Sequence, residues 1–367
     1  MDVPTFCRKS RVLVVAGKGG VGKTTVTAAL ARMAAHAGLS VLVVELEGKS
    51  GVHAAFGGSG ALSYDESLLS GLQTVAGGGS VRARRITPDD ALLEYLADHG
   101  MKRISKRLVS SGALDVVATA IPGIRDILVL GKVKSLERQG IADLILVDAP
   151  ATGHAMTFLS SAQGLLDAAR SGPVRTQAAD VVELLSDADR CQVALVTLPE
   201  EMPVNEVVEA AYALEDRIGI SLGPVIVNAC LPADPRLERD VAEAASEVGV
   251  TLTEDQAGAL RAAAEFRAHR FRLQEEQRAR LAAELPLPQL QAPFLFSSGI
   301  GPDELELLAA ELADGVRRLP EDTGRDALGH TGRAPPSEQT APADESPAAA
   351  PAVRVQETEE ADGGTAP

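Results

Sequence analysis

Nine residues, Gly17-Lys18-Gly19-Gly20-Val21-Gly22-Lys23-Thr24-Thr25, constrain this chain more than any other stretch. They fit the pattern GxxxxGK[ST] and have the context that gives the pattern meaning. Val12–Ala16 before them is apolar throughout and rich in valine, as a strand covered on both faces must be. Thr24–His36 after them is Ala-rich and helical, ending at Gly38. A strand, a glycine loop and a helix in that order let backbone N–H groups curl around an anion. The start of the helix adds its partial positive charge. Gly17, Gly19, Gly20, Val21 and Gly22 therefore line a predicted phosphate cradle. Lys23 is placed to reach β and γ phosphates, Thr24 to ligate Mg²⁺, and Thr25 to meet an α-phosphate. ATP and Mg²⁺ are the expected cofactors.

The rest of the chain alternates strand and helix. Val41–Leu46, Leu144–Asp148, Gln192–Leu198 and Pro224–Asn228 read as strands, and Ala155–Ala169, Gln177–Asp187 and Pro203–Ile218 as helices. Helices at Pro235–Glu247 and Glu254–Glu284 precede a short extended segment near Phe294 and a last helix, Pro302–Arg317. Such alternation predicts an α/β fold with a doubly wound, mostly parallel sheet. Gly48–Gly79 is rich in Gly and Ser, with little periodicity, and reads as loop or short irregular structure. Pro88–His99, Met101–Ser110, Ala113–Ala120 and Ile124–Glu137 read as successive helices, a helical insert at about 88–140. From 319 to 367 the chain is acidic and rich in Pro and Ala, too poor in large apolar groups to offset chain entropy, so a disordered tail is expected. The expected organisation is one ATPase domain over 1–318 followed by that tail.

Lys18 narrows the reading. A second lysine early in the loop, GKGGVGKT, resembles the deviant Walker A ATPases (the MinD, ParA, nitrogenase iron protein and ArsA group). The resemblance implies a P-loop ATPase in which Lys18 crosses a dimer interface to the partner's nucleotide, on the logic of an arginine finger. Asp148–His154, DAPATGH, resembles the switch segment of the ArsA arsenical-pump ATPases and of their relatives that target tail-anchored proteins. Arg85–Leu96 (RITPDDALLEYL), Pro122-Gly123-Ile124, Leu198–Glu206 (LPEEMPVNE), Val225–Asn228 and Arg267–Pro293 match that family in order. In it, Asp148 would organise Mg²⁺ through water, and Gly153 and His154 would respond to the γ-phosphate. Asn228 would read adenine, which would rest near Pro293, Phe294 and Leu295. Glu47, in the run Glu45–Lys49, takes the place of the aspartate that positions the attacking water. It is one methylene longer, which implies slow or partner-dependent turnover.

Charge and cysteine usage narrow the partners. A net charge of −16 over 367 residues opposes non-specific nucleic-acid binding and docking on anionic lipid. Arg82, Arg84 and Arg85, and separately Lys102, Arg103, Lys106 and Arg107, are local basic runs that read as solvated faces. Cys7, Cys191 and Cys230 form no metal-binding spacing and read as buried apolar groups. Met1–Ser10 has no signal-peptide pattern, and no segment is apolar enough to span a membrane, so a cytoplasmic location without stable membrane insertion is expected. The expected partner is a second copy or a paralogous ATPase, with a membrane transporter, an anion or a protein carrying a hydrophobic segment as client. The alternatives are a MinD/ParA-type spatial or partitioning ATPase and a non-catalytic or weakly catalytic subunit of a heterodimeric ATPase.

Overall fold

The computed structural model describes residues 1–46, 51–69, 78–98, 100 and 123–320. Its centre is an eight-stranded sheet: β1 (Val12–Gly17), β2 (Ser40–Leu46), β3 (Ser67–Leu68), β4 (Ser80–Ile86), β5 (Leu144–Ala151), β6 (Cys191–Thr197), β7 (Leu222–Cys230) and β8 (Gln289–Pro293). The order is β3-β4-β2-β5-β1-β6-β7-β8, parallel except for β3 against β4. The expected doubly wound, mostly parallel α/β fold is thus observed.

Side-chain alternation along the strands divides the core into two layers. Val12, Val14, Leu42, Val44, Ile145 and Val147 face one side. There they pack under α5 (Ile124–Gln139), α6 (Thr152–Ala168), α7 (Pro173–Ser186) and α8 (Glu201–Ile218). Leu13, Val15, Val41, Val43, Leu144 and Leu146 face the other, under α1 (Val3–Cys7), α2 (Lys23–His36) and α11 (Pro302–Arg318). A strand with both faces covered has no polar side to show, which explains the unbroken apolar runs. Each such buried Val, Leu or Ile contributes about 1.5–3 kcal/mol.

Several elements depart from the sequence expectation. Gly48–Gly79 is not simply loop: it holds α3 (Gly51–Ala55) and β3. The arginine-rich run at 82–85 is the strand β4, with Val81 and Ala83 in the core. Arg84 is buried there, its guanidinium 4.5 Å over the Tyr64 ring, and Arg82 and Arg84 both face Glu66. These two arginines are paired, so they offer no basic patch. Pro235–Glu247 divides into a 3-10 turn (Pro235–Glu238) and α9 (Val241–Glu247), because Asp240 accepts from the amides of Ala242 and Glu243 and starts a new helix. The 31-residue helix α10 (Glu254–Glu284) begins at a Thr253–Gln256 capping box.

Of the predicted insert, α4 (Pro88–Asp98) and α5 are described. Ile127, Leu128 and Leu130 of α5 belong to the main core. The predicted helices Met101–Ser110 and Ala113–Ala120, the basic run at 102–107, Glu47 and the tail beyond Pro320 lie outside the described residues. Among the described residues no helix is long and apolar enough to cross a membrane.

Candidate functional site

The carboxyl ends of β2, β5 and β1 open side by side, where β1 lies between β5 and β6 and connections leave in both directions. In open α/β sheets this switch point is where ligands bind. The predicted loop emerges there. A Cβ on Gly17 would stand 2.2 Å from the Val196 carbonyl oxygen, so only glycine lets β1 leave the sheet this close to β6. Gly22, with φ of 87°, caps α2 in the left-handed conformation, and a Cβ on it would meet Asn228 Nδ2 at 2.2 Å. Val21 is buried, whereas Gly19 and Gly20 are exposed at the crown.

Lys23 opens α2 and is buried. Its Nζ donates to the Lys18 carbonyl at 2.8 Å, which draws the ammonium across the mouth of the loop. One residue on, Thr24 Oγ1 donates to Asp148 Oδ2 at 2.7 Å. Asp148 itself is fully buried on β5. Thr25 lies in the same turn, half-buried. A hydroxyl and a carboxylate in contact beside a buried lysine, under a cradle that excludes side chains, fit a nucleotide triphosphate with Mg²⁺. That cation takes one or two protein oxygens and completes its shell with phosphates and water.

The Lys18 ammonium pairs with Glu206 of α8. Both stand in a cleft of about 840 Å³ that Gly19, Ala151, Gly153 and Arg217 also line. Gly153 and His154 are exposed in the first turn of α6. His154 acts electrostatically on Asp126 in the first turn of α5. Burial raises that carboxyl above its ordinary value, against the pull of Arg125 and His154.

The predicted adenine residues cluster at the ends of β7 and β8. Asn228 Nδ2 donates to the Val21 carbonyl at 2.9 Å, so β7 fastens the loop directly. Pro293 ends β8, and the Phe294 amide donates to Cys230 O at 2.8 Å. Phe294 and Phe296 meet edge to face at 4.9 Å, Arg267 lies 4.9 Å over Phe296, and Leu295 is partly buried against the α2 layer.

Sequence reasoning missed three residues here. Gln274, buried on α10, accepts from the Leu231 amide at 2.8 Å and donates to Ala229 O at 3.3 Å. It braces Ala229, whose φ of 58° is the one positive value at a non-glycine among the described residues. Glu206 had no signal beyond its place in a matched segment. Glu45 had one: a lone charge inside the apolar strand VLVVEL.

Cys7, Cys191 and Cys230 are buried and free on three different elements. Burial pushes their thiols up, Cys7 and Cys191 to about 12 and Cys230 to about 11. Because the thiolate is the nucleophile, the native chain should react with a disulfide reagent at pH 8 at least about 100-fold more slowly than the chain in guanidinium. Rapid labelling of any cysteine in the native chain would contradict this burial.

The anion-transporting ATPase family model matches residues 10–170 and 166–249. The ATPase BagA of Mycobacterium tuberculosis (strain ATCC 25618 / H37Rv) is 36% identical over 340 residues, covering 84% of this chain and 94% of that one. The arsenical pump-driving ATPase of Escherichia coli is 30% identical over 258 residues, 64% of this chain and 41% of its own. ATPase GET3 of Chaetomium globosum is 31% identical over 157 residues, 41% of this chain and 43% of its own. With the loop, the switch-point site and these matches in agreement, the chain belongs to the ArsA-type anion-transporting ATPase family.

Proposed function

We propose that this protein is an ATPase that binds Mg²⁺-ATP at residues 17–25 and works as a dimer, coupling nucleotide-driven closure of two subunits to a client. The observation that carries the reading is the convergence of Lys23, Thr24 and buried Asp148 under the loop. Thr24 and, through water, Asp148 would hold Mg²⁺, which when bound neutralises charge on the β and γ phosphates. Lys23 binds those phosphates, and Thr25 meets the α-phosphate. Asn228 and residues 293–295 receive adenine, and Glu47 positions the attacking water.

Lys18 serves the partner's nucleotide. Its ion pair with Glu206 is partly exposed, so breaking it costs only about 0–1 kcal/mol. A second copy presenting phosphate to Lys18 therefore suffices to displace Glu206. Gly153 and His154 carry the state of the γ-phosphate to Asp126 and α5, and so to the insert at 88–140. The relative named as an arsenical pump-driving ATPase supports a client linked to membrane transport. One ATPase domain over 1–318 with a separate tail at 319–367 completes the proposed organisation.

Substituting Lys18→Ala tests this. The variant is expected to bind nucleotide within about twofold of the original chain and to lose about 100-fold or more of its hydrolysis, as for a charge supplied in trans. Sedimentation velocity should show ATP-dependent dimers of the original chain. Equal loss of binding and hydrolysis would remove the trans role of Lys18, and monomers under all nucleotide conditions would remove the dimer.

A further inference from the structure

We propose that Glu45 is a positioning residue of the nucleotide site, tying its metal end to the segment that begins at Gly51. One carboxylate oxygen holds the Val52 amide, and the other accepts a hydrogen bond from water on the divalent cation. The proposal rests on the reading of the site as one for Mg²⁺-ATP.

Glu45 is fully buried near the end of β2. A glutamate is almost never fully buried unless its oxygens are satisfied, because an unpaired charge in an apolar setting is costly. Oε1 is satisfied, accepting from the Val52 amide at 2.9 Å. Oε2 is buried and has no hydrogen-bond partner among the described residues.

The register shows where this oxygen belongs. Glu45 pairs with Asp148 on β5 and with Arg85 on β4. In-register residues of parallel strands project to the same face. Glu45 lies two residues beyond Val43 and Asp148 two beyond Leu146, and both of those face the α2 layer. Both carboxylates therefore stand on the side where α2 begins with Lys23 and Thr24.

Contacts close the circuit. Thr24 donates to Asp148, and Gly51 lies so close to Thr24 that a Cβ on it would sit 2.6 Å from the threonine methyl. Glu45, Val52, Gly51, Thr24 and Asp148 are thus linked around one point at the foot of the loop. Two buried carboxylates on adjacent strands repel each other unless positive charge stands near both. Arg85 is half-buried in register with Glu45 on the neighbouring strand β4, and Glu45 Oε2 still has no hydrogen-bond partner among the described residues. A hydrated divalent cation held by Thr24 and Asp148 supplies both the charge and the hydrogen bond, because its bound water is a strong donor. The Val52 amide then makes the segment from Gly51 onward sensitive to whether metal is bound.

The test uses the full chain and a fluorescent ATP analogue, titrated with Mg²⁺ or held in EDTA. Glu45→Gln keeps the side chain's size and its acceptor for Val52. It is expected to leave affinity in EDTA within about twofold and to raise the Mg²⁺ midpoint about tenfold, the worth of one charge-assisted hydrogen bond. Glu45→Asp should recover part of that shift. A Mg²⁺ midpoint unchanged in Glu45→Gln would make Glu45 structural and overturn the proposal. Failure of the unsubstituted chain to bind nucleotide in either condition would overturn the ATPase reading as well. Hydrogen exchange at the Val52 amide needs no variant. Mg²⁺ with nucleotide should slow it about fivefold or more relative to nucleotide in EDTA, and equal exchange in the two conditions would overturn the coupling.

Discussion

Replacing Lys23 with alanine is expected to abolish measurable nucleotide binding while leaving the fold in place. The Lys23 ammonium is buried at the loop mouth, where it donates to the Lys18 carbonyl at 2.8 Å. In the proposed complex it exchanges this neutral acceptor for two phosphate oxygens. Each hydrogen bond to a charged group is worth about 1.5–3 kcal/mol, so losing two corresponds to a fall in affinity of about 100-fold or more. The cost to stability should be small. The variant loses one hydrogen bond and some packing of the lysine stem, but it also relieves a desolvated charge, and the Thr27 hydroxyl still bonds the backbone carbonyl at position 23, at 2.9 Å in the structure. Calorimetric titration with Mg²⁺-ATP and a thermal melt of the same sample separate the two effects. Binding within about tenfold of the original chain would show that Lys23 does not engage phosphate. A collapsed melt would show that it is structural.

Gly17→Ala should produce the largest loss of stability of any single methyl added to this site. Its Cβ would sit 2.2 Å from the carbonyl oxygen of Val196 and 3.2 Å from the Val21 side chain. The first of these is backbone inside β6, the immediate neighbour of β1 in the centre of the sheet, so no side-chain rotation relieves it. Either the two central strands separate or the loop swings out, and overpacking of this kind costs about 3 kcal/mol or more. For a domain of this size that lowers the melting temperature by roughly 4–5 °C or more, together with loss of nucleotide binding. Gly20→Ala is the control, because a Cβ there meets nothing within 4 Å although its φ of 86° is strained. It should cost about 1–2 kcal/mol. Equal melting of the two variants would mean that backbone conformation, not the approach to β6, sets the requirement at Gly17.

Elements whose periodicity is carried by apolar residues were legible from the chain itself. β1, β2, β5, β6 and β7 lie in a sheet covered on both faces and read as mostly apolar runs, and α10 announces its start through Thr253 and Gln256. The strand β4 was not legible. One of its faces carries Arg82 and Arg84, which are accommodated by Glu66 and, for Arg84, by the Tyr64 ring, from a different segment. The same holds for α3, five residues that make sense only against α2 and the Glu45 carboxylate.

Contiguous residues were enough to specify the glycine loop between β1 and α2 and the parallel sheet that carries it, and to nominate Lys23, Thr24 and Asp148 as candidates beside it. Local backbone requirements and strand burial are written in contiguous residues, where spacing alone expresses them. Only the tertiary structure decided that Lys18 pairs with Glu206, that Asn228 fastens the loop, that Gln274 braces Ala229, and that Glu45 stands beside Asp148. Each of those contacts joins residues more than 40 positions apart. Which of many compatible side chains meet at such a range is set by strand order and register, and no local pattern encodes that.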